Sequence, residues 1–319
     1  MEQAGMTDDD PSAGEPWLLA NIKPNTVVIA MSEPGNAPRP YGQREYAAAE
    51  FPTFSYALQR FSEDSGIRLT DRACAISVCG AVTGEAVKIT NGRWLLSPSG
   101  LRHLFGQNLL IVNNVCATLW ATRTMADSQF ASVPGKSGHQ PLRLGARVMI
   151  WVDDGLGIAC MKVDERGQTT VLSSEGGHIT FSPRTAQEMA LLDVIAGKRL
   201  PASYEQILGL APGDLAWNAI SPRPGSAEIE KLRAIFLGRF ANAAAQMFAA
   251  WEGVYLCGSQ LPLLSDSSLA TLFLDAFHGD GPHRRMLMGT PCWIVGSDGM
   301  ELNGAAAALS EKFRMNINA

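Results

Sequence analysis

The sequence predicts a two-domain α/β protein, and three observations support that reading. The chain has 319 residues, 46 % hydrophobic and 18 % charged, so it can bury enough apolar surface to offset the entropy of ordering. At roughly 100–200 residues per domain, this length suits two domains. Apolar runs give way to mixed helical and strand patterns twice over, on either side of a polar segment at 126–142, which predicts two α/β halves with a cleft between them.

The elements follow in order. WLL (17–19) and VVIAM (27–31) read as strands around the turn ANIKPNT. Thr53 to Ser65 reads as a helix with Phe54, Leu58 and Phe61 on one face, and Ala73 to Cys79 as a short strand ending at Gly80. Ser97 before Pro98 is a cap and first-turn signal for a helix through Leu104. Leu109 to Val112 reads as a buried strand and Ala117 to Thr124 as a helix. Strands are expected at 146–152, 157–163 and 169–173. Ser182-Pro183 opens a helix with Met189, Leu192 and Ile195 on one face. Ser226 opens the longest helix, with Leu232, Ile235, Phe236, Phe240, Ala243 and Met247 as a core stripe. Val254–Cys257 and Cys292–Val295 read as late strands, and Glu301 to Phe313 as an Ala-rich closing helix. No internal repeat is visible in the sequence.

Lys and Arg total 26 against 31 Asp and Glu, a net charge of −5, which disfavours a nucleic-acid partner. No run of 18 apolar residues exists, so no spanning helix and no membrane partner are expected. Residues 1–16 lack the positive start and apolar middle of a secretory leader and read as a disordered leader on a cytoplasmic protein. The six cysteines form no CxxC pair and mostly sit in apolar runs, as small buried hydrophobes do. No metal site is expected.

Three segments could bear chemistry. Asn113-Asn114 closes an apolar strand, where polar side chains often face a ligand crevice, although Asn-Asn also suits a plain turn. Glu175-Gly176-Gly177-His178 could aim a carboxylate and an imidazole into one space, a good set for hydroxyl groups, or could be a surface hairpin turn. Asp153-Asp154-Gly155-Leu156-Gly157 is a hairpin turn or a Gly-rich phosphate cradle, and its two carboxylates oppose the second role. His103, His139, His278 and His283 have no evident partner, and Arg284-Arg285 reads as a solvated turn rather than an anion site.

Taken together, CGAVTGEAVKITNGRWLLS (79–97), LLIVNNVCATLWA (109–121), DGLGIA (154–159) and SSEGGHITFSP (173–183) resemble bacterial glucokinases of the hexokinase-type sugar kinases. The resemblance runs from about Trp17 to the C-terminus. It implies an actin/hexokinase-like (ribonuclease H-like) fold with an interdomain sugar cleft, residues 17–124 plus 303–319 forming the small domain and 125–302 the large one. It implies that Asn113, Glu175, His178, the looser match Glu205 in SYEQILG, and Asn91 in TNGRW contact a hexose. Asn114 stands where the family has the aspartate that binds the 6-hydroxyl and acts as base, so the catalytic position holds a non-functional amide.

The nucleotide side departs further. Where the family has Asp-x-Gly-Gly-Thr, this chain reads Asn21-Ile22-Lys23-Pro24-Asn25, without the acid or the glycines, and Pro24 has no N–H to give. Where the second phosphate turn is Gly-Thr-Gly-rich, this chain has Trp151-Val152-Asp153-Asp154-Gly155, and the adenosine Gly-Gly pair is Gly258-Ser259. The resemblance sets the two turns facing each other, so Lys23 is expected to pair with Asp153 or Asp154, the alternative being an unpaired surface lysine. The expected function is a sugar sensor or regulator that binds glucose or a similar hexose, has lost ATP binding and phosphoryl transfer, needs no cofactor, forms a homodimer and is read by a protein partner. Two readings stay open beside it. One is an active glucokinase with an altered ATP site or another donor, using ATP and magnesium. The other is a structural partner of an active kinase that no longer binds sugar.

Overall fold

Six consecutive buried residues, Trp17–Ile22, form β1, a strand covered on both faces. It anchors the first of two units into which this computed structural model divides: residues up to Thr124 with Gly299 onward, and Met125–Asp298. The structure describes residues 14–35, 37–70, 72–136, 144–196, 202–209, 217–218 and 225–317. Residues 1–13 of the expected leader, and His139, lie outside these.

In the first unit β1 is followed by β2 (Thr26–Ser32), β3 (Pro40–Ala47), α1 (Phe54–Ser65), β4 (Cys74–Val78), the two-residue strands β5 (Val87–Lys88) and β6 (Leu95–Leu96), α2 (Pro98–Phe105), β7 (Leu109–Asn113) and α3 (Asn114–Ala121). The main sheet has the order β3-β2-β1-β4-β7. β1 pairs antiparallel with β2 and parallel with β4, and β4 pairs parallel with β7. One face packs Leu18, Ile29 and Ile76 against Phe54, Leu58, Phe61 and Leu101 of α1 and α2. Ser97 caps α2 as its sequence signals: its Oγ accepts the Gly100 N–H at 3.1 Å, and Pro98 occupies the first turn.

The second unit holds β8 (Phe130–Ser132), β9 (Gly145–Val152), β10 (Leu156–Val163), β11 (Thr169–Ser174), α4 (Ala186–Ala196), α5 (Glu205–Leu208), α6 (Ser226–Met247), β12 (Val254–Cys257), α7 (Ser267–His278), α8 (Arg284–Gly289) and β13 (Cys292–Val295). Its sheet runs β11-β10-β9-β12-β13-β8, with the same sense of pairing around β9 as around β1. The strand order of the first unit therefore recurs here with β8 added, a duplication of topology that the sequence does not display. α6 and α7 cover one face through Phe236, Phe240, Phe273 and Phe277.

The chain then returns to the first unit as α9 (Met300–Ile317), whose Leu302, Ala305, Ala306 and Leu309 cover Trp17, Leu19, Ala30 and Ala75 on the free face of that sheet. α9 also meets α3 backbone to backbone: a Cβ on Gly304 would lie 1.6 Å from the Ala117 carbonyl oxygen. Gly304→Val is expected to destabilise the first unit by about 3 kcal/mol, read as a fall in denaturation midpoint. An unchanged midpoint contradicts this contact.

Four expectations need correction. α3 starts at Asn114 rather than Ala117, because Asn113 supplies its cap. α4 starts at Ala186 rather than after Ser182-Pro183, capped by Thr185, whose Oγ1 accepts the Glu188 N–H at 3.2 Å. Met189 is exposed while Glu188 and Leu191 are buried, because an ion pair with Arg239 of α6 draws Glu188 inward and rotates the expected face by one residue. Met247 is 60 % exposed, as the last residue of α6, and leaves the core stripe.

His278 does find a partner. Lys136 Nζ donates to its Nε2 at 2.9 Å and to the carbonyls of Leu287 and Met288, tying the end of α7 to α8. Burial, and then the Lys136 charge, push the His278 pKa down to about 4, which keeps the ring neutral and accepting. His283 stacks edge-on to Trp251 at 6.1 Å, and Arg284 bonds Gly279 and Asp280 within its own exposed turn.

Candidate functional site

In the second unit, the start of β10, the turn after β11 and the start of α5 bring three of the expected residues together. Gly176 and Gly177 make a tight helical turn in which the His178 N–H donates to the Glu175 carbonyl at 3.0 Å. A Cβ on Gly177 would sit 1.9 Å from the Leu156 carbonyl oxygen, so only glycine lets this turn approach β10. The result is a line of polar groups. Glu175 Oε2 lies 3.7 Å from His178 Nε2, and His178 Nδ1 lies 3.5 Å from Glu205 Oε1. Glu205 is fixed from its other oxygen, because Oε2 accepts the Leu156 N–H at 3.1 Å. Side-chain exposure falls from 69 % at Glu175 through 57 % at His178 to 28 % at Glu205, so the cluster opens to solvent at one end. Two carboxylate acceptors flanking an imidazole that can donate and accept are suited to the hydroxyls of a polyol. Among the described residues no group of three or more His, Cys, Asp or Glu is placed to hold a metal ion.

In the first unit, Asn113 ends β7 and caps α3. Its Oδ1 accepts the Val115 and Cys116 N–H groups at 2.9 and 3.4 Å, and its Nδ2 donates to the Gly80 carbonyl at 3.0 Å. The neighbouring Cys79 carbonyl accepts the Thr90 N–H at 2.7 Å, which joins the strand end to the β5–β6 hairpin. Asn91 lies at the exposed tip of that hairpin in a left-handed conformation, φ 55°. Asn114, half-buried, is the first residue of α3.

Several of the positions matched to nucleotide binding are engaged internally, Lys23, Asp153 and Ser259 among them. The Lys23 N–H donates to the Thr26 carbonyl at 2.9 Å. Its ammonium pairs with Glu301 at 3.1 Å, and this carboxylate is 3 % exposed in the first turn of α9. Lys23 therefore has a partner within its own unit, Glu301, and is not an unpaired surface lysine. Asn21 is 4 % exposed, and its Oδ1 has no hydrogen-bond partner. In the second unit the Asp153 N–H donates to the Gly155 carbonyl at 3.0 Å, closing the β9–β10 turn. The Ser259 hydroxyl donates to Asp153 Oδ1 at 2.6 Å. Gly258 makes that approach possible, since a Cβ there would lie 2.1 Å from the Val152 carbonyl oxygen. The Asp153–Ser259 and Lys23–Glu301 pairs were not foreseeable from local sequence. Their members are far apart in the chain, and only neighbouring strands or a returning helix bring them together.

The two sheets, their shared strand order and the Glu175–His178–Glu205 cluster define a two-domain sugar-kinase-like protein of the actin-like fold. The glucokinase family model matches residues 18–213 and 210–312, and the chain belongs to the glucokinase family. It is 26 % identical to the glucokinase of Xylella fastidiosa (strain 9a5c) over 320 residues, covering 92 % of this chain and 94 % of the relative. It is also 26 % identical over 325 residues to the bifunctional protein glk of Burkholderia pseudomallei (strain 1710b), covering 94 % of this chain; the chain spans 49 % of that longer relative. Among solved structures, the glucokinase from an Antarctic psychrotroph aligns with a TM-score of 0.77 at 22 % identity, covering 92 % of this chain and 98 % of that one. The glucokinase from Balamuthia mandrillaris in complex with glucose aligns at 0.70 and 18 %, covering 93 % of each. These two show the fold. No described helix is long and apolar enough to cross a membrane.

Proposed function

We propose that this glucokinase-family chain binds glucose or a closely related hexose and does not phosphorylate it. The polar line Glu175–His178–Glu205 supports the binding half, as does the solved relative in complex with glucose. The resemblance adds sugar contacts from Asn91 and Asn113. The observation that carries the second half is the Asp153–Ser259 hydrogen bond: the turn matched to phosphate binding presents a carboxylate and is closed on itself.

Magnesium and ATP do not fit the residues at these positions. Asn21 offers a neutral amide in place of a carboxylate. Pro24 has no N–H, and those of Lys23 and Asp153 are already donated within their turns. Each carboxylate near a triphosphate would repel it by about 1–4 kcal/mol per unit charge. Asn114 cannot act as a base near neutral pH, a contribution typically worth about 10²–10⁴ in rate. The role left to such a protein is sensing or regulation, in which sugar occupancy shifts its conformational population and a protein partner reads the shift.

A coupled assay for hexose 6-phosphate tests this reading. Wild type and Asn114→Asp are both expected below ~0.01 s⁻¹ with glucose, ATP and magnesium, because restoring the carboxylate leaves the turns unchanged. Wild-type turnover at ~1 s⁻¹ or faster, an ordinary enzyme rate, contradicts it.

A further inference from the structure

Near the opposite end of β9 from the Asp153 turn lies a second polar cluster with no hexose or nucleotide position in it. Arg147 is 3 % exposed, and its Nε and Nη2 have no hydrogen-bond partner. Trp293 Nε1 is also unpartnered, and the Tyr255 hydroxyl has no partner but the Arg147 guanidinium, in residues 5 % and 0 % exposed. Strand alternation puts all three on one face. Val148, Val254 and Cys292 belong to the core on the other face, so Arg147, Tyr255 and Trp293 point away from it.

Register brings them close together. Tyr255 is the ladder partner of Trp293, and Val148 donates to the Gly253 carbonyl at 3.1 Å, placing Gly253 beside Arg147. Both rings lean over that glycine. A Cβ on it would lie 3.1 Å from Tyr255 Cε2 and 3.7 Å from Trp293 Cδ1, the atom bonded to Nε1. Phe130 walls the cluster, with ring centroids 5.8 Å from Tyr255 and 6.1 Å from Trp293.

The chemistry is one-sided. Nε–H, Nη2–H, O–H and indole N–H are all donors. A buried guanidinium without a paired anion and orphaned buried donors each destabilise the fold, and an anion that accepts from them removes that cost. Burial raises the Tyr255 pKa, the Arg147 guanidinium beside the hydroxyl lowers it by its charge and a hydrogen bond, and Glu252 raises it again without forming an ion pair with Arg147 among the described residues. The Nε/Nη2 edge is the fork that takes two oxygens of a carboxylate or phosphate side by side.

We propose that Arg147, Tyr255 and Trp293 form a binding site for one small oxyanion, a carboxylate or phosphate group, about 20 Å along the strand from the Asp153 turn. The guanidinium fork holds two oxygens, and the Tyr255 and Trp293 donors complete the shell. The site is independent of the hexose reading.

Thermal denaturation and calorimetry of the full chain in sodium phosphate, sodium acetate and sodium chloride at matched ionic strength test it. A saturable rise in melting temperature with phosphate or acetate, beyond that in chloride, is expected, and whichever salt is effective identifies the anion type. Arg147→Met should abolish the rise. Tyr255→Phe removes one donor without changing shape, keeps the test valid if the first variant does not fold, and should weaken the dissociation constant about 5- to 10-fold. Identical melting in all three salts overturns the proposal, as does a saturable rise that survives in either variant at unchanged affinity.

Discussion

Replacing Glu205 by alanine is expected to weaken glucose binding by about 10–10²-fold. The residue serves two purposes at once. Its Oε2 satisfies the N–H of the buried Leu156, and its Oε1 stands 3.5 Å from His178 Nδ1, at the least exposed end of the hydroxyl-binding line. A hydrogen bond to a charged group contributes about 1.5–3 kcal/mol, and an orphaned buried N–H costs about 1–3 kcal/mol. The orphaned N–H weakens the free and the bound protein alike, so the loss in binding is that of the sugar contact alone, about 1.5–3 kcal/mol, or one to two decades in affinity. Glu205→Gln keeps an oxygen for Leu156 and should fall only about tenfold. Calorimetric titration with glucose checks both. Wild-type affinity in Glu205→Ala would remove this residue from the sugar site.

The second large effect concerns stability. Glu188 is 2 % exposed and accepts both arms of Arg239, at 2.8 and 3.1 Å, together with the Arg184 N–H at 2.6 Å. It fastens α4 to α6, and through them the segment that follows Gly177-His178. Glu188→Ala leaves the Arg239 guanidinium without its anion and should cost about 3–5 kcal/mol in urea unfolding of the full chain. Burial alone would raise the Glu188 pKa; the Arg239 hydrogen bonds, then the Arg184 N–H, outweigh it and hold the carboxyl below its usual range. This stabilisation is therefore present above the ordinary value near ~4.3 and is lost as pH falls through the lowered one. Between pH 5 and 3 the difference between wild type and Glu188→Ala should narrow; a constant difference would place the effect elsewhere.

Much of this architecture is legible in the sequence because burial leaves a periodic trace. β1, β2, β4 and β7 are apolar runs, Ser97-Pro98 announces α2, and the Gly-Gly pair marks the turn that sets Glu175 near His178. What escapes has no such trace. β3 reads PYGQREYA and lies exposed at the sheet edge, so no apolar alternation marks it. α7, in SSLATLFLDAFH, is the exception, because its buried Leu269, Ala270, Phe273, Leu274 and Phe277 do recur at helical spacing. Met189 and Met247 fit an apolar spacing but are exposed, because Glu188 is drawn inward by a partner on another helix and α6 ends at Met247. The repeated strand order is a property of pairing rather than of residues, and the two cores share no sequence pattern. Of the polar positions, Glu205 and His178 could be named, but the closures by Glu301 and Ser259 become visible only when distant segments meet.

Titration calorimetry with glucose, then with ATP and magnesium on the free and the glucose-saturated protein, separates sugar binding from nucleotide binding in one experiment. Saturable heat with glucose and none with the nucleotide in either state is the expected result. Micromolar nucleotide binding, or no heat with any hexose, would contradict it.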